Sequence, residues 1–101
     1  MAIKNDKKKL NKTNALINKH LCNFIADKFL RVTKNQEGKS ISQNQYSDMV
    51  GLSSSTISKL KSLEGYNIPI STIYNICRHE KYSLKVLFKE FEDKYGVDIP
   101  E

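Results

Sequence analysis

From Asn14 to about Lys34 the apolar residues Ile17, Leu21, Phe24, Ile25 and Val32 recur on one face of a 3.6-residue period, which predicts a first amphipathic helix. Lys28 falls on the same face, with its stem along the core edge, while Leu16 and Leu30 point elsewhere. Asn35 to Ser40, containing Gly38, interrupts the pattern as a loop. Ser42 then opens a second helix: Ser42 and Gln45 have the spacing of a capping box, and Ile41 with Tyr46 that of a hydrophobic staple. Gly51 ends this helix after about eight residues, because glycine takes the left-handed conformation that helix ends often need. Ser53 starts a third helix, with Leu52 and Ile57 as its staple. After a break at Leu63 to Pro69, Ile70, Ile73, Ile76 and Cys77 form the face of a short fourth helix. Ser83 caps a fifth, with Tyr82 and Leu87 as its staple, and a stripe of Leu84, Leu87, Phe88, Phe91 and Tyr95 runs to Gly96. No segment has the two-residue alternation of a strand, and nothing repeats. Residues 1–13 are polar, Lys/Asn-rich and aperiodic, and read as a disordered basic arm. The expected organisation is therefore all-α: an arm over 1–13, one five-helix domain over 14–95 and a short tail over 96–101.

Composition narrows the function classes. No apolar run approaches the roughly 18 residues of a membrane span, and the N-terminal lysines lack the apolar segment of a secretory leader. Two cysteines are too few for a disulfide framework, which points to a reducing, cytoplasmic setting. The net charge of +6 is uneven. Residues 1–13 carry five lysines against Asp6, residues 14–64 seven bases against four acids, and residues 65–101 five bases against six acids. The first two-thirds thus suits a polyanion, although a lysine-rich tail can also be merely solvated. With no Gly-rich phosphate loop and no acid/base cluster, neither an enzyme nor a cofactor is expected. Glu90, Glu92 and Asp93 read as a solvated helix face. His20 with Cys22, and Cys77 with His79, are each two residues apart, about 200° around a helix, so neither pair can chelate one metal ion.

The most informative stretch is Gln43 to Ser62. Tyr46, Val50, Leu52, Ile57 and Leu60 can pin two short helices to each other and to a core, small Ser47 lets their backbones approach, and Gly51 permits the turn. The segment Ser42-Gln43-Asn44-Gln45-Tyr46-Ser47-Asp48-Met49-Val50-Gly51-Leu52-Ser53-Ser54-Ser55-Thr56-Ile57-Ser58-Lys59-Leu60 resembles, without a gap, the signature of the Cro/Xre helix-turn-helix regulators, which have the lambda-repressor-like fold. Ile70 to Phe88 looks like that family's fourth and fifth helices. The likeness covers roughly residues 14–92, with two departures: a longer connection before Ser42, and Lys61-Ser62-Leu63 where the family has an acidic residue and glycine.

The resemblance implies that the third helix enters the DNA major groove, with Ser54, Ser55 and Lys59 at base-contacting positions. A helical wheel also turns Ser58 and Ser62 outward. Lys59 is the best single base contact, since an ammonium reaches guanine O6 and N7, whereas serine hydroxyls discriminate poorly. Gln43 matches the family's phosphate-contacting position, and Lys61, Ser62, Tyr66 and Asn67 are candidates for bracketing the other strand. Gln43 can equally be only a helix-start residue, and Tyr66 a core residue. Phe88, Phe91 and Tyr95, with Val97 and Ile99, form a candidate homodimer seam, the alternative being packing onto the first helix. The expected function is that of a sequence-specific double-stranded DNA-binding regulator, a repressor by occupancy, prokaryotic or phage-like and nucleoid-associated, dimeric on two half-sites. A second reading is an antitoxin-type or adaptor protein whose main partner, a toxin or adaptor target, is a protein. A third, nonspecific binding through the lysine arm, requires that deleting residues 1–13 abolish binding.

Overall fold

The structure is a computed structural model that describes residues 2–96, with side chains from Lys7 onward. Helix α1 (Ala2–Ile25) runs into a π-helical turn at Ala26–Leu30, and α2 (Gln43–Val50), α3 (Ser54–Lys61), α4 (Ile70–Glu80) and α5 (Leu84–Tyr95) complete the chain order. One apolar cluster joins them: Leu21, Phe24, Ile25 and Leu30 from the first element, Tyr46 and Val50 from α2, Ile57 and Leu60 from α3, Ile73 and Ile76 from α4, and Leu87 and Phe91 from α5. Only an isolated bridge between Lys34 and Ser40 has strand character among the described residues.

The π turn corrects the inward face of the first helix. Arg31 N–H donates to Ala26 O at 3.1 Å, a bond to the fifth residue back rather than the fourth. The extra residue in the turn sets the later side chains back by one position, so Leu30 arrives over Ile25 and is buried. Helical structure then stops, and Val32, expected inside, stands 61% exposed.

Helix α1 extends back through residues 2–13, the stretch read as a basic arm. Residues 7–12 are exposed, and side chains become partly covered only from Thr13 and Leu16 onward. The segment is helical by propagation: turns anchored in the core at Leu21–Ile25 supply the nucleus that a free segment lacks. At about 1.5 Å per residue the 24 residues of α1 span about 36 Å, which accounts for much of the 55 Å long axis.

The capping residues set the helix starts. Ser42 Oγ accepts from Gln45 N–H at 3.1 Å while Gln45 Oε1 accepts from Ser42 N–H at 3.0 Å, closing the capping box. Gly51 has φ 78°, a left-handed conformation, and its N–H donates to Ser47 O. Ser53 and Ser83 cap α3 and α5 by accepting from Thr56 and Val86 N–H. Ile70, expected on the inner face of α4, is 59% exposed because it lies in the first turn, one turn short of Ile73, where no neighbour covers it.

The loop between the π turn and α2 docks on the end of α4. Thr33 Oγ1 donates to Ile41 O at 2.7 Å, Gln36 Nε2 donates to His79 O at 2.9 Å, and His79 Nε2 lies 2.9 Å from Lys34 O. Beside this latch Tyr46 is fully buried, its ring edge-on to His79 and its hydroxyl donating to Glu80 Oε2 at 2.7 Å. Burial and the Glu80 carboxylate hold the Tyr46 hydroxyl protonated far above the usual phenol range. A Tyr46→Phe variant is expected to lose about 1.5–3 kcal/mol of stability, because a charged acceptor loses its donor; a urea midpoint unchanged from wild type excludes that role for the bond.

Two of the three candidate dimer-seam residues turn inward. Phe91 is buried edge-on to Phe24 of α1 (ring centroids 5.9 Å apart), and Tyr95 stacks on His20 at 4.7 Å. The stripe of α5 is therefore longer than expected for a core because α1 is long enough to cover it. Phe88 is only partly buried, and Val97 and Ile99 lie outside the described residues. Lys28 sits over the Tyr82 ring at 4.7 Å and pairs with Glu90 at 3.1 Å. The Tyr82 hydroxyl, donating to Glu90, and the Lys28 ammonium hold the Glu90 carboxyl below its usual range.

Candidate nucleic-acid interface

Helix α3 is pinned by Ile57 and Leu60, neither of which has any exposed surface. On the side of α3 away from that seam Ser55, Ser58 and Lys59 are exposed, with Ser62 exposed just beyond the helix; Ser54 and Lys61 are half-buried. The apolar seam thus decides which polar side chains form the face.

Gln43, expected to reach a phosphate, is turned into the protein. Its Nε2 donates toward Ser54 Oγ (3.0 Å), Ser54 O (3.1 Å) and Ser58 Oγ (2.9 Å), and its Oε1 accepts from Lys61 Nζ at 3.0 Å. A side chain at the start of α2 therefore clamps both ends of α3, and it also occupies Ser54, Ser58 and Lys61 from below. This use of Gln43 was invisible in the sequence, where nothing marks its partners, which lie 11 to 18 positions away. Gln43→Ala is expected to lower stability by about 1–2 kcal/mol, since several partners lose a bond at once. Thermal melts that superimpose on wild type contradict this clamp.

The segment after α3 is fastened to α1. Asn23 Nδ2 donates to Leu63 O at 3.2 Å, and Cys22 Sγ approaches Tyr66 O at 3.4 Å. Gly65 carries the closest approach: at φ 66° a Cβ would lie 3.0 Å from Asn18 O and 3.1 Å from Cys22 Cβ. Gly65 was legible in the sequence only as a chain break, since its partner on α1 lies over forty residues away. The Tyr66 hydroxyl is buried, so it cannot serve as the phosphate donor it was expected to be. Burial also pushes its pKa up. What Tyr66 offers instead is a ring face, with Lys59 Nζ 5.9 Å from its centroid. Asn67 is exposed.

Ser55, Lys59 and Asn67 therefore form one exposed rim, with Ser54, Ser58 and Lys61 shared between it and the Gln43 clamp. All are hydrogen-bonding or cationic, and Lys59 and Lys61 are the charges on α3. Such a face can meet an anionic backbone and the acceptor edges of bases. The remaining reactive groups are engaged elsewhere: Cys22 and Cys77 are buried free thiols whose pKa burial pushes up, His20 stacks on Tyr95, and His79 belongs to the latch. Among the described residues no helix is long and apolar enough to cross a membrane.

No protein-family model, curated protein or solved structure matches this chain.

Proposed function

We propose that this protein is a non-enzymatic, sequence-specific double-stranded DNA-binding regulator with the lambda-repressor-like, Cro/Xre-type arrangement, laying α3 in the major groove. The observation that carries the reading is the outward face of α3: Ser55, Ser58 and Lys59 stand exposed on a short helix whose opposite side, Ile57 and Leu60, is sealed in the core. The preceding α2, the left-handed turn at Gly51 and the fully buried Tyr46 supply the rigid support that base reading requires. Net charge of +6 supplies attraction to phosphate. Binding as a homodimer to two half-sites, and repression by occupancy, complete the proposal.

The test is selection of purified protein on random duplex DNA at about 150 mM salt, which suppresses purely electrostatic binding. Enrichment of an inverted repeat supports a dimeric, sequence-specific regulator. Folded protein that enriches nothing overturns the proposal and favours the adaptor reading, which draws on the exposed Ile70 and Tyr74 of α4 as a surface for another protein.

A further inference from the structure

The inward stripe of α1 changes character halfway along. Residues 7, 11, 14, 18, 22 and 25 share one side of the helix at intervals of three and four. At Cys22 and Ile25 that side is core, whereas toward the N-terminus it becomes Asn18, Asn14, Asn11 and Lys7. The amides do not meet an apolar neighbour. With Ala15, Ile17 and Asn67 of the loop after α3, they line an open groove of about 510 Å³. None of the four asparagine side chains forms a hydrogen bond among the described residues, so their amides are open to a ligand in this space.

Along α1 the charge beside the groove has one sign. From Lys7 to Ala26 the sequence has no acidic residue. Lys8, Lys12 and Lys19 succeed one another along the flank next to the amide stripe. At its other wall, Asn67 adjoins Tyr66, whose ring lies beneath Lys59. The groove is thus the direct continuation of the α3 rim across the loop that Gly65 fastens to α1. From Asn11 to Asn18 it runs about 10 Å along the helix, enough for about two successive phosphates.

We propose that this amide-lined groove seats the sugar-phosphate backbone of duplex DNA beside the segment that α3 reads, a proposal that rests on the DNA-binding reading above. Asparagine amides donate to phosphate and sugar oxygens without base preference, and the lysine row displaces condensed counterions. The groove lengthens the footprint and adds salt-dependent affinity, while sequence preference stays with α3.

The experiment measures binding of three proteins, wild type, Lys12→Gln/Lys19→Gln and Asn11→Asp/Asn14→Asp, at several salt concentrations. The probes are the selected site with flanks of about ten base pairs (one helical turn), the same site trimmed of flanks, and a random duplex of equal length. Asn11, Asn14 and Lys12 are exposed and Lys19 is half-buried, so circular dichroism melts should match wild type. The expected result is that Lys12→Gln/Lys19→Gln makes the log-log salt slope shallower by about 2 on flanked and random duplex. Asn11→Asp/Asn14→Asp should bind flanked duplex more weakly, keep its selected-over-random ratio, and match wild type on trimmed duplex. Equal slopes and equal affinities for all three proteins overturn the groove while leaving α3 as the reader. If wild type does not prefer selected over random duplex, the α3 reading fails. The slope on random duplex then still decides whether the groove holds backbone, and an unchanged slope removes it as well.

Discussion

A Leu30→Ala variant is expected to lose about 2–5 kcal/mol of unfolding free energy, whereas Val32→Ala is expected to change it by less than about 0.5 kcal/mol. Leu30 is 1% exposed, so truncation removes buried carbon and opens a cavity among Ile25 and its core neighbours. Val32 is 61% exposed and beyond the helical segment, so its truncation removes little that water does not already touch. A regular α-helix through this stretch predicts the reverse order, because its inward stripe includes Val32 and excludes Leu30. Urea unfolding of the two variants therefore tests the π turn itself. Equal losses, or a larger loss at Val32, show that the helix keeps its ordinary period through Leu30.

A second expected result concerns recognition. Lys59→Ala should reduce the preference for selected over random duplex by about 5- to 150-fold, the worth of about 1–3 kcal/mol for a good base contact. Lys59 is exposed on the outer side of α3, and the Tyr66 ring 5.9 Å from its Nζ restrains the ammonium on the rim. Lys61→Ala provides the contrast. Its ammonium is tied to Gln43 Oε1 at the base of the rim, so its removal should weaken selected and random duplex alike and make the salt slope shallower by about 1. If Lys59→Ala also lowers both affinities by one factor, Lys59 is a phosphate contact and the base-reading role passes to the serines. Fold should be intact in both variants, because neither side chain contributes to the apolar core.

The capping residues were the most legible part of the fold. Ser42 with Gln45, Gly51, Ser53 and Ser83 mark helix boundaries that the structure repeats within a residue or so, because caps satisfy backbone groups locally and need no distant partner. Ile57 and Leu60 were equally legible, and with them the outward direction of Ser55, Ser58 and Lys59. Less legible was everything that depends on a partner far along the chain. Nothing adjacent to Gln43 marks its hold on Ser54, Ser58 and Lys61, and nothing near Tyr66 marks the burial of its hydroxyl. Phe91 and Tyr95 presented the same difficulty, since a stripe on α5 looks alike whether a second molecule or α1 covers it.

By itself, then, the sequence determined five helical segments, the capped starts of α2, α3 and α5 and the stop of α2 at Gly51, the lysine excess of the first two-thirds and the polar face of α3. These are properties of short windows, set by periodicity, backbone capping and charge. Only the tertiary structure decided that Leu30 rather than Val32 enters the core, that Gln43 is a clamp, that Phe91 and Tyr95 lie on α1, and that the asparagine stripe of α1 overlooks Asn67. The reason is physical: burial and polar pairing are settled by which surfaces meet, and a single extra residue in one π turn is enough to rotate a side chain from water into the core.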